Sequence, residues 1–381
     1  MKGRIVVIRK EIRIHNKSDK PDNIVKKENE IIENCLRIEK ELPFFMRDFF
    51  IYLKNNVLPM TRFSYLSDIR FFCDYLIKET NISSANEIKD ITIQDFNKID
   101  AKDINRFIGD YCSRYSVEKG NVVYVYENNN RSLARKQSSL SVLFKYLYRD
   151  KLIEKNITDG FNPIKLPKTG SREIKRLDDY EVKRMIDAVS TGQGLTEKER
   201  EYWEKTKLRD KAIIILFVTY GLRLYELQQL NISSFNFVRG EFKIFRKRGK
   251  EAILPLNKSV EKVINDYINS ERPSEDHLPQ ESNDALFLSL QNTRMTERAI
   301  RELVKKYTSI AMGTVRDMGY SPHKLRATAA TSLIEQGNSI YDVQNLLDHE
   351  NITTTQLYAA HKKNAKRELI KNFEWLDEFE K

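Results

Sequence analysis

Residues 212–227, AIIILFVTYGLRLYEL, set an apolar run against a glycine, an arginine and a glutamate. The length of the run and its flanks predict a buried helix that ends near Gly221. Arg223 follows at once. A buried arginine needs an acceptor, and Glu226, three residues on, lies one helical turn away. The segment by itself allows two readings: a local ion pair, or an arginine held by the next turn at the mouth of a pocket.

Further along the chain stand SPHKLRATAAT (residues 321–331) and LLDHENITTTQLY (residues 346–358). Pro322 suits the first turn of a helix, and His323 and Arg326 at i and i+3 then share one face. One oxygen can meet a guanidinium and an imidazole there, although a surface helix with incidental polar residues has the same spacing. His349, near the end of the next helix, would ordinarily be a capping histidine. Tyr358 is one of 18 tyrosines, and only its nine-residue step from His349 singles it out. Together these residues are a set for gripping and attacking a phosphodiester. Arginine forks onto oxygen pairs and keeps its charge, histidine shares a proton near neutrality, and a tyrosine hydroxyl can form a covalent phosphoester.

The bulk of the chain is compatible with that chemistry. It has 381 residues, enough for two or three domains, and 66 Lys+Arg against 55 Asp+Glu leave a net charge of +11. The excess favours a polyanionic partner, since each neutralised phosphate releases counterions. Cys35, Cys73 and Cys112 lack metal-type spacing and read as free thiols of a reducing compartment. The amino terminus, MKGRIVVIRKEIRIH, has charges where a signal peptide would be apolar, and no window approaches the ~18 apolar residues of a membrane span. A cytoplasmic, nucleoid-associated protein is the expectation.

Residues 1–38 alternate charges with isoleucines and read as an amino-terminal arm or small appended element, with a possible strand in RIVVIRKEIRI and a charged helix from Asn23 to Glu41. Residues 42–161 read as a helical domain. Leu66, Ile69, Phe72, Cys73 and Leu76 form one apolar face, with Ile104, Phe107, Ile108 and Tyr111 on a second helix. Leu133, Leu140, Leu143, Phe144 and Leu147 form a third. Arg62 lies off these faces, and Arg131, Arg135 and Lys136 crowd a helix start. Cations are unfavourable at that end, so either an anion compensates or the face is merely solvated. Residues 162–177, with two prolines, a glycine and five cations, read as a basic interdomain linker. In residues 178–381, a helix begins at Asp178 or Asp179, and residues 190–210 read as a charged connection. EFKIFRKRGKEAILPL follows as two strands around a turn, with more helices after it.

Taken in order, GLRLYEL, HKLR and LLDHENITTTQLY resemble the signature of the tyrosine recombinase, or phage integrase, family: an arginine in G-L-R-x-x-E-L, an H-x-x-R pair and H-x8-Y. The resemblance covers residues from about 42 to 370, and it is closest to Xer-like enzymes and mobile-element integrases. It implies a mainly α fold with a small β-sheet: a helical, SAM-like core-binding domain and a mixed α/β catalytic domain. It implies Arg223, Lys247, His323, Arg326, His349 and Tyr358 as catalytic residues, with Tyr358 the nucleophile and Lys250 and Lys243 as neighbours of the lysine position. It gives Arg62, Arg131, Arg135 and Lys136 a role as DNA contacts.

The chain also departs from the pattern. Arg246 stands where a glycine usually precedes the lysine, and Asp348 stands in the usual L-G-H. A carboxylate beside a phosphate pocket repels its ligand unless it points away or orients a cation. The resemblance implies no cofactor and no metal. As partners it implies double-stranded DNA with inverted-repeat sites, a homotetramer on synapsed DNA, and an accessory or directionality protein. A carboxy-terminal helix with Leu369, Phe373, Leu376 and Phe379 would dock into a neighbouring copy. A type IB topoisomerase uses nearly the same residues, and an inactive DNA-binding protein could keep the scaffold. DNA relaxation without partner sites, and the loss of activity in Tyr358→Phe, separate these readings.

Overall fold

The computed structural model describes residues 20–166, 175–246 and 249–348. The chain divides into two compact units, Met1–Leu166 and Pro167–Lys381. Helices dominate both.

The first unit begins with α1 (Asp22–Glu41), α2 (Arg47–Asn56) and α3 (Pro59–Glu79). Cys35 and Ile38 of α1 are buried in the same core as Leu66, Ile69, Phe72, Cys73 and Leu76 of α3. A boundary near residue 38 therefore falls inside a helix whose apolar stripe is committed to this core. Two short helices follow, α4 (Ile93–Asn97) and α5 (Ala101–Arg106). Capping boxes at Thr92 with Asp95 and at Asp100 with Asp103 start them. The last turn of α5 widens into a π-turn over Phe107–Tyr111.

The chain then forms a hairpin, β1 (Arg114–Lys119) and β2 (Val122–Glu127), where residues 42–161 had been expected to be all helical. Gly120, with φ 60°, begins its two-residue turn. All six residues of β2 are exposed, so no buried face advertises the strand. Tyr115 joins it to the core through rings of Tyr111, Phe71 and Tyr126 at centroid distances of 6.5, 5.0 and 5.2 Å. α6 (Asn130–Arg149) closes the unit with Leu140, Leu143, Phe144 and Leu147 fully buried. Residues at the start of the expected linker lie along α6, where Asn130 Nδ2 and Gln137 Nε2 donate to the carbonyls of Lys165 and Asn162 at 2.8 and 2.9 Å. Cys35, Cys73 and Cys112 are all buried free thiols. Burial pushes each thiol up, Cys112 to about 12.

The second unit opens with α7 (Asp179–Thr191), capped by Asp178, and α8 (Glu197–Trp203). α8 lies within the stretch expected to be a connection; Thr196 and Glu199 form its capping box and Trp203 is buried. α9 (Lys207–Tyr220) is the central helix, with Ala212, Ile213, Ile214, Leu216 and Phe217 buried. Gly221, at φ 57°, ends it in the left-handed conformation. After α10 (Leu224–Gln228) comes an antiparallel sheet in the order β3 (Phe235–Asn236), β4 (Glu241–Phe245), β5 (Glu251–Pro255). Tyr220 fastens it to α9: its hydroxyl donates to the Pro255 carbonyl and accepts from the Asn257 amide, both at 2.9 Å. α11 (Lys258–Ser270), α12 (Glu297–Met312), α13 (Pro322–Glu335) and α14 (Ile340–Leu347) complete the described part. Among the described residues no helix is long and apolar enough to cross a membrane.

Candidate active site

The site is assembled where α9 ends. A Cβ on Gly221 would stand 2.7 Å from Leu347 Cδ2 and 3.5 Å from Arg326 Cγ, so α13 and α14 close onto this turn only because it has no side chain. Arg223 follows at the start of α10. Glu226, 3% exposed, accepts from both the Arg223 backbone amide (2.8 Å) and its Nη1 (2.7 Å). The two readings of this arginine are thus compatible: the ion pair fixes one edge of the guanidinium, and Nη2 donates to the Asp348 carbonyl at 2.9 Å.

Arg326, buried on α13, donates through Nη1 to the Gly221 carbonyl at 2.6 Å and through Nη2 to the Leu347 carbonyl. Arg223 and Arg326 therefore reach the carbonyls of adjacent residues, Leu347 and Asp348, from different helices. His323 lies one turn before Arg326, in the first turn of α13 behind Pro322. The residue is exposed as a whole, yet partial desolvation of its ring, then the charges of Lys324, Arg326 and Arg223, hold its imidazole below the ordinary value. Neutral at neutral pH, it can accept a proton.

The turn between β4 and β5 supplies two more cations. The Arg246 amide donates to the Lys250 carbonyl (2.7 Å) and the Gly249 amide to the Arg246 carbonyl (3.1 Å), which closes the turn. Lys250 Nζ meets Asp348 Oδ1 at 3.0 Å; Arg246 and Arg223 approach the same carboxylate at 3.5 and 3.8 Å. Asp348 is thus the carboxylate that orients cations. Burial pushes its carboxyl up, but the Lys250 hydrogen bond and the neighbouring charges outweigh that and hold it below the ordinary range. Sequence reasoning had raised Asp348 as a liability and had given Arg246 no part. Lys247, His349 and Tyr358, like the expected carboxy-terminal helix, lie outside the described residues.

The DNA contacts expected in the first unit divide. Arg62 is 6% exposed and its Nε donates to Glu39 at 2.9 Å, so it is a core ion pair. Lys136 is also buried, 3.3 Å from Asp68. These two assignments are corrected: both side chains are spent inside the unit. Asp68 is the anion that the crowded start of α6 required, accepting from Arg135 Nη2 at 2.9 Å and Ser139 Oγ at 2.8 Å as well. Arg135 keeps 47% of its side chain exposed and Arg131 is exposed; these two still face solvent.

Two guanidinium groups, with an imidazole on which their charges act, thus come together on a helical unit edged by a short sheet. The phage integrase family model matches residues 175–365. The tyrosine recombinase XerC of Natranaerobius thermophilus is 31% identical over 303 residues, covering 75% of this chain and 91% of that protein. XerD of Staphylococcus epidermidis is 28% identical over 324 residues, covering 85% and 95%. Among solved structures, the XerH recombinase in a post-cleavage complex with a palindromic difH substrate superposes with a TM-score of 0.59 at 19% identity, covering 91% of this chain and 90% of that one. The chain belongs to the phage integrase family. It is a tyrosine site-specific recombinase of the Xer and integrase type, acting on DNA.

Proposed function

We propose that Tyr358 attacks a phosphate of duplex DNA, giving a 3′-phosphotyrosyl link and a free 5′-hydroxyl. Arg223 and Arg326 hold the two non-bridging oxygens and stabilise the charge that grows on them in the transition state. The observation that supports this reading is that Arg223 and Arg326, from different elements, converge on the carbonyls of the adjacent residues Asp348 and Leu347. His323, its imidazole lowered by desolvation and then by its cationic neighbours, takes the tyrosine proton or holds the phosphate. His349 donates a hydrogen bond to the same phosphate, and Lys247 protonates the departing 5′-oxygen. The phosphoester energy stays in the covalent link, so attack by a 5′-hydroxyl of another strand restores the backbone without ATP.

Reciprocal exchange between two duplexes breaks four strands, and each copy carries one Tyr358; a homotetramer on two inverted-repeat sites follows. The carboxy-terminal helix would link these copies, and an accessory or directionality protein would bias the exchange. Arg131 and Arg135 of the first unit contact backbone phosphates. The role is integration and excision of a mobile element, or resolution of chromosome dimers.

Covalent capture tests the reading. The protein is mixed with fragments of its source genome and nicked random duplexes, washed in denaturant, and whatever stays attached is sequenced. DNA adducts that vanish in Tyr358→Phe, bearing inverted repeats, are the expected result. Adducts that persist in that variant would overturn the nucleophile. Binding without any adduct would favour an inactive DNA-binding scaffold.

A further inference from the structure

Arg246 and Asp348 come from distant parts of the second unit, and each alone would be a liability. Arg246, 6% exposed, has a buried Nε with no hydrogen-bond partner among the described residues. Its Nη2 donates to the Leu346 carbonyl at 2.6 Å and its Nη1 to the Asn345 carbonyl at 3.5 Å. These are carbonyls of the last turn of α14, at the negative end of its dipole; the Asn345 carbonyl also accepts from the Asp348 amide at 3.1 Å. Asp348 caps that helix at φ 51°, a left-handed backbone that residues other than glycine seldom adopt. Its carboxylate lies within 3.8 Å of Arg223, one of the two phosphate-gripping arginines.

Without Asp348, Arg246 would be a buried charge lacking its counterion. Without Arg246, a carboxylate and a helix carboxyl end would both face the approaching phosphate with less neutralisation. Brought together at 3.5 Å, the two groups cancel each other's cost. We propose that Arg246 and Asp348 are a positioning pair for the recombination chemistry. The Asp348 carboxylate holds Arg246, and Arg246 fastens the carboxyl end of α14, so the chain leading on to His349 and Tyr358 leaves that helix at a fixed place against Arg223 and Arg326. The inference rests on the reading of those residues given under the proposed function.

Its test is a double-variant cycle in the full chain. Arg246→Met keeps the buried stem without its charge, and Asp348→Asn keeps a side chain that tolerates the left-handed backbone. Single-turnover formation of the phosphotyrosyl adduct is measured at saturating duplex carrying the captured site, together with the melting temperature of each variant. Each single change is expected to slow the step by about tenfold or more, and the double variant to react about tenfold faster than the product of the two losses. Strictly multiplicative losses would overturn the pairing. Lower melting temperatures with unchanged rates would reduce both residues to structural ones. A parent protein that forms no adduct would instead sink the proposed function, and the pair's role with it.

Discussion

Two aspartates of this protein each gather a cluster of cations, with opposite results. Asp68 in the first unit has a side chain only 4% exposed and takes Arg135, Lys136 and the Ser139 hydroxyl. Asp348 in the second has a side chain 23% exposed and meets Lys250, Arg246 and Arg223. Around Asp68 the positive charge is consumed in holding α3 to α6. Around Asp348 it is kept nearer the surface, because the aspartate ends a helix beside Arg223 and Arg326, the arginines proposed to grip phosphate. A run of cations in a sequence thus says little about nucleic acid until the burial of its carboxylate partner is known.

The sharpest way to separate the two clusters is to remove one arginine from the site. Arg326→Ala should slow phosphotyrosyl formation by about 10²–10³-fold, the scale for losing a positioned transition-state donor. Single-turnover cleavage with DNA in excess reads it, and an unchanged rate would break the contrast. Asp68→Ala should act in the opposite sense. It leaves Lys136 buried without its counterion and should cost about 3 kcal/mol of stability in a denaturant titration, at the low end of the range for broken buried pairs because Arg135 is half exposed. The folded fraction should cleave at the parent rate.

Smaller still is the effect of Arg131→Ala, which should lower the salt dependence of DNA affinity by about one phosphate's worth. Lys136→Met and Arg62→Met should leave that slope unchanged, and a lower slope in either would restore them as contacts. The slightest effect concerns pH. The folded value of His323 is lowered, so the unfolded chain binds the proton more readily. Stability should therefore fall as pH drops below about 6.5, through the window between the unfolded and folded values. A series of melting temperatures from pH 7.5 to about 5 should show that loss flattened in His323→Gln.

Helices were legible where three- and four-residue spacing of large apolar side chains matched a buried face, as in α3 and α6, or where an apolar run was long enough to be buried all round, as in α9. Elements without such a face were missed. β2 exposes Val122 to Glu127 on both sides and looks like an apolar stretch of helix, although the Gly120-Asn121 turn carried a hairpin signal. α8 is short and charged, and only Thr196 and Glu199 announced it. Arg223, His323 and Arg326 were singled out by local motifs, each of which fits within a turn or two of chain, and the structure brings the two arginines onto adjacent carbonyls. The meeting of Arg246 with Asp348 depends on the whole packing of the β4–β5 turn against α14, and no local spacing encodes it. Arg62 misled for a related reason: its partner Glu39 lies on another helix.

The three thiols have a practical consequence. Cys35, Cys73 and Cys112 are the only cysteines in the chain, and all are buried with raised thiols, so the surface should be nearly silent to maleimide reagents in the folded state. A single cysteine placed on the exposed face of α6 and another in the second unit could be labelled in the otherwise native chain. Fluorescence energy transfer between the dyes would then report the separation of the two units, free and on DNA, without first stripping the protein of its own sulfur.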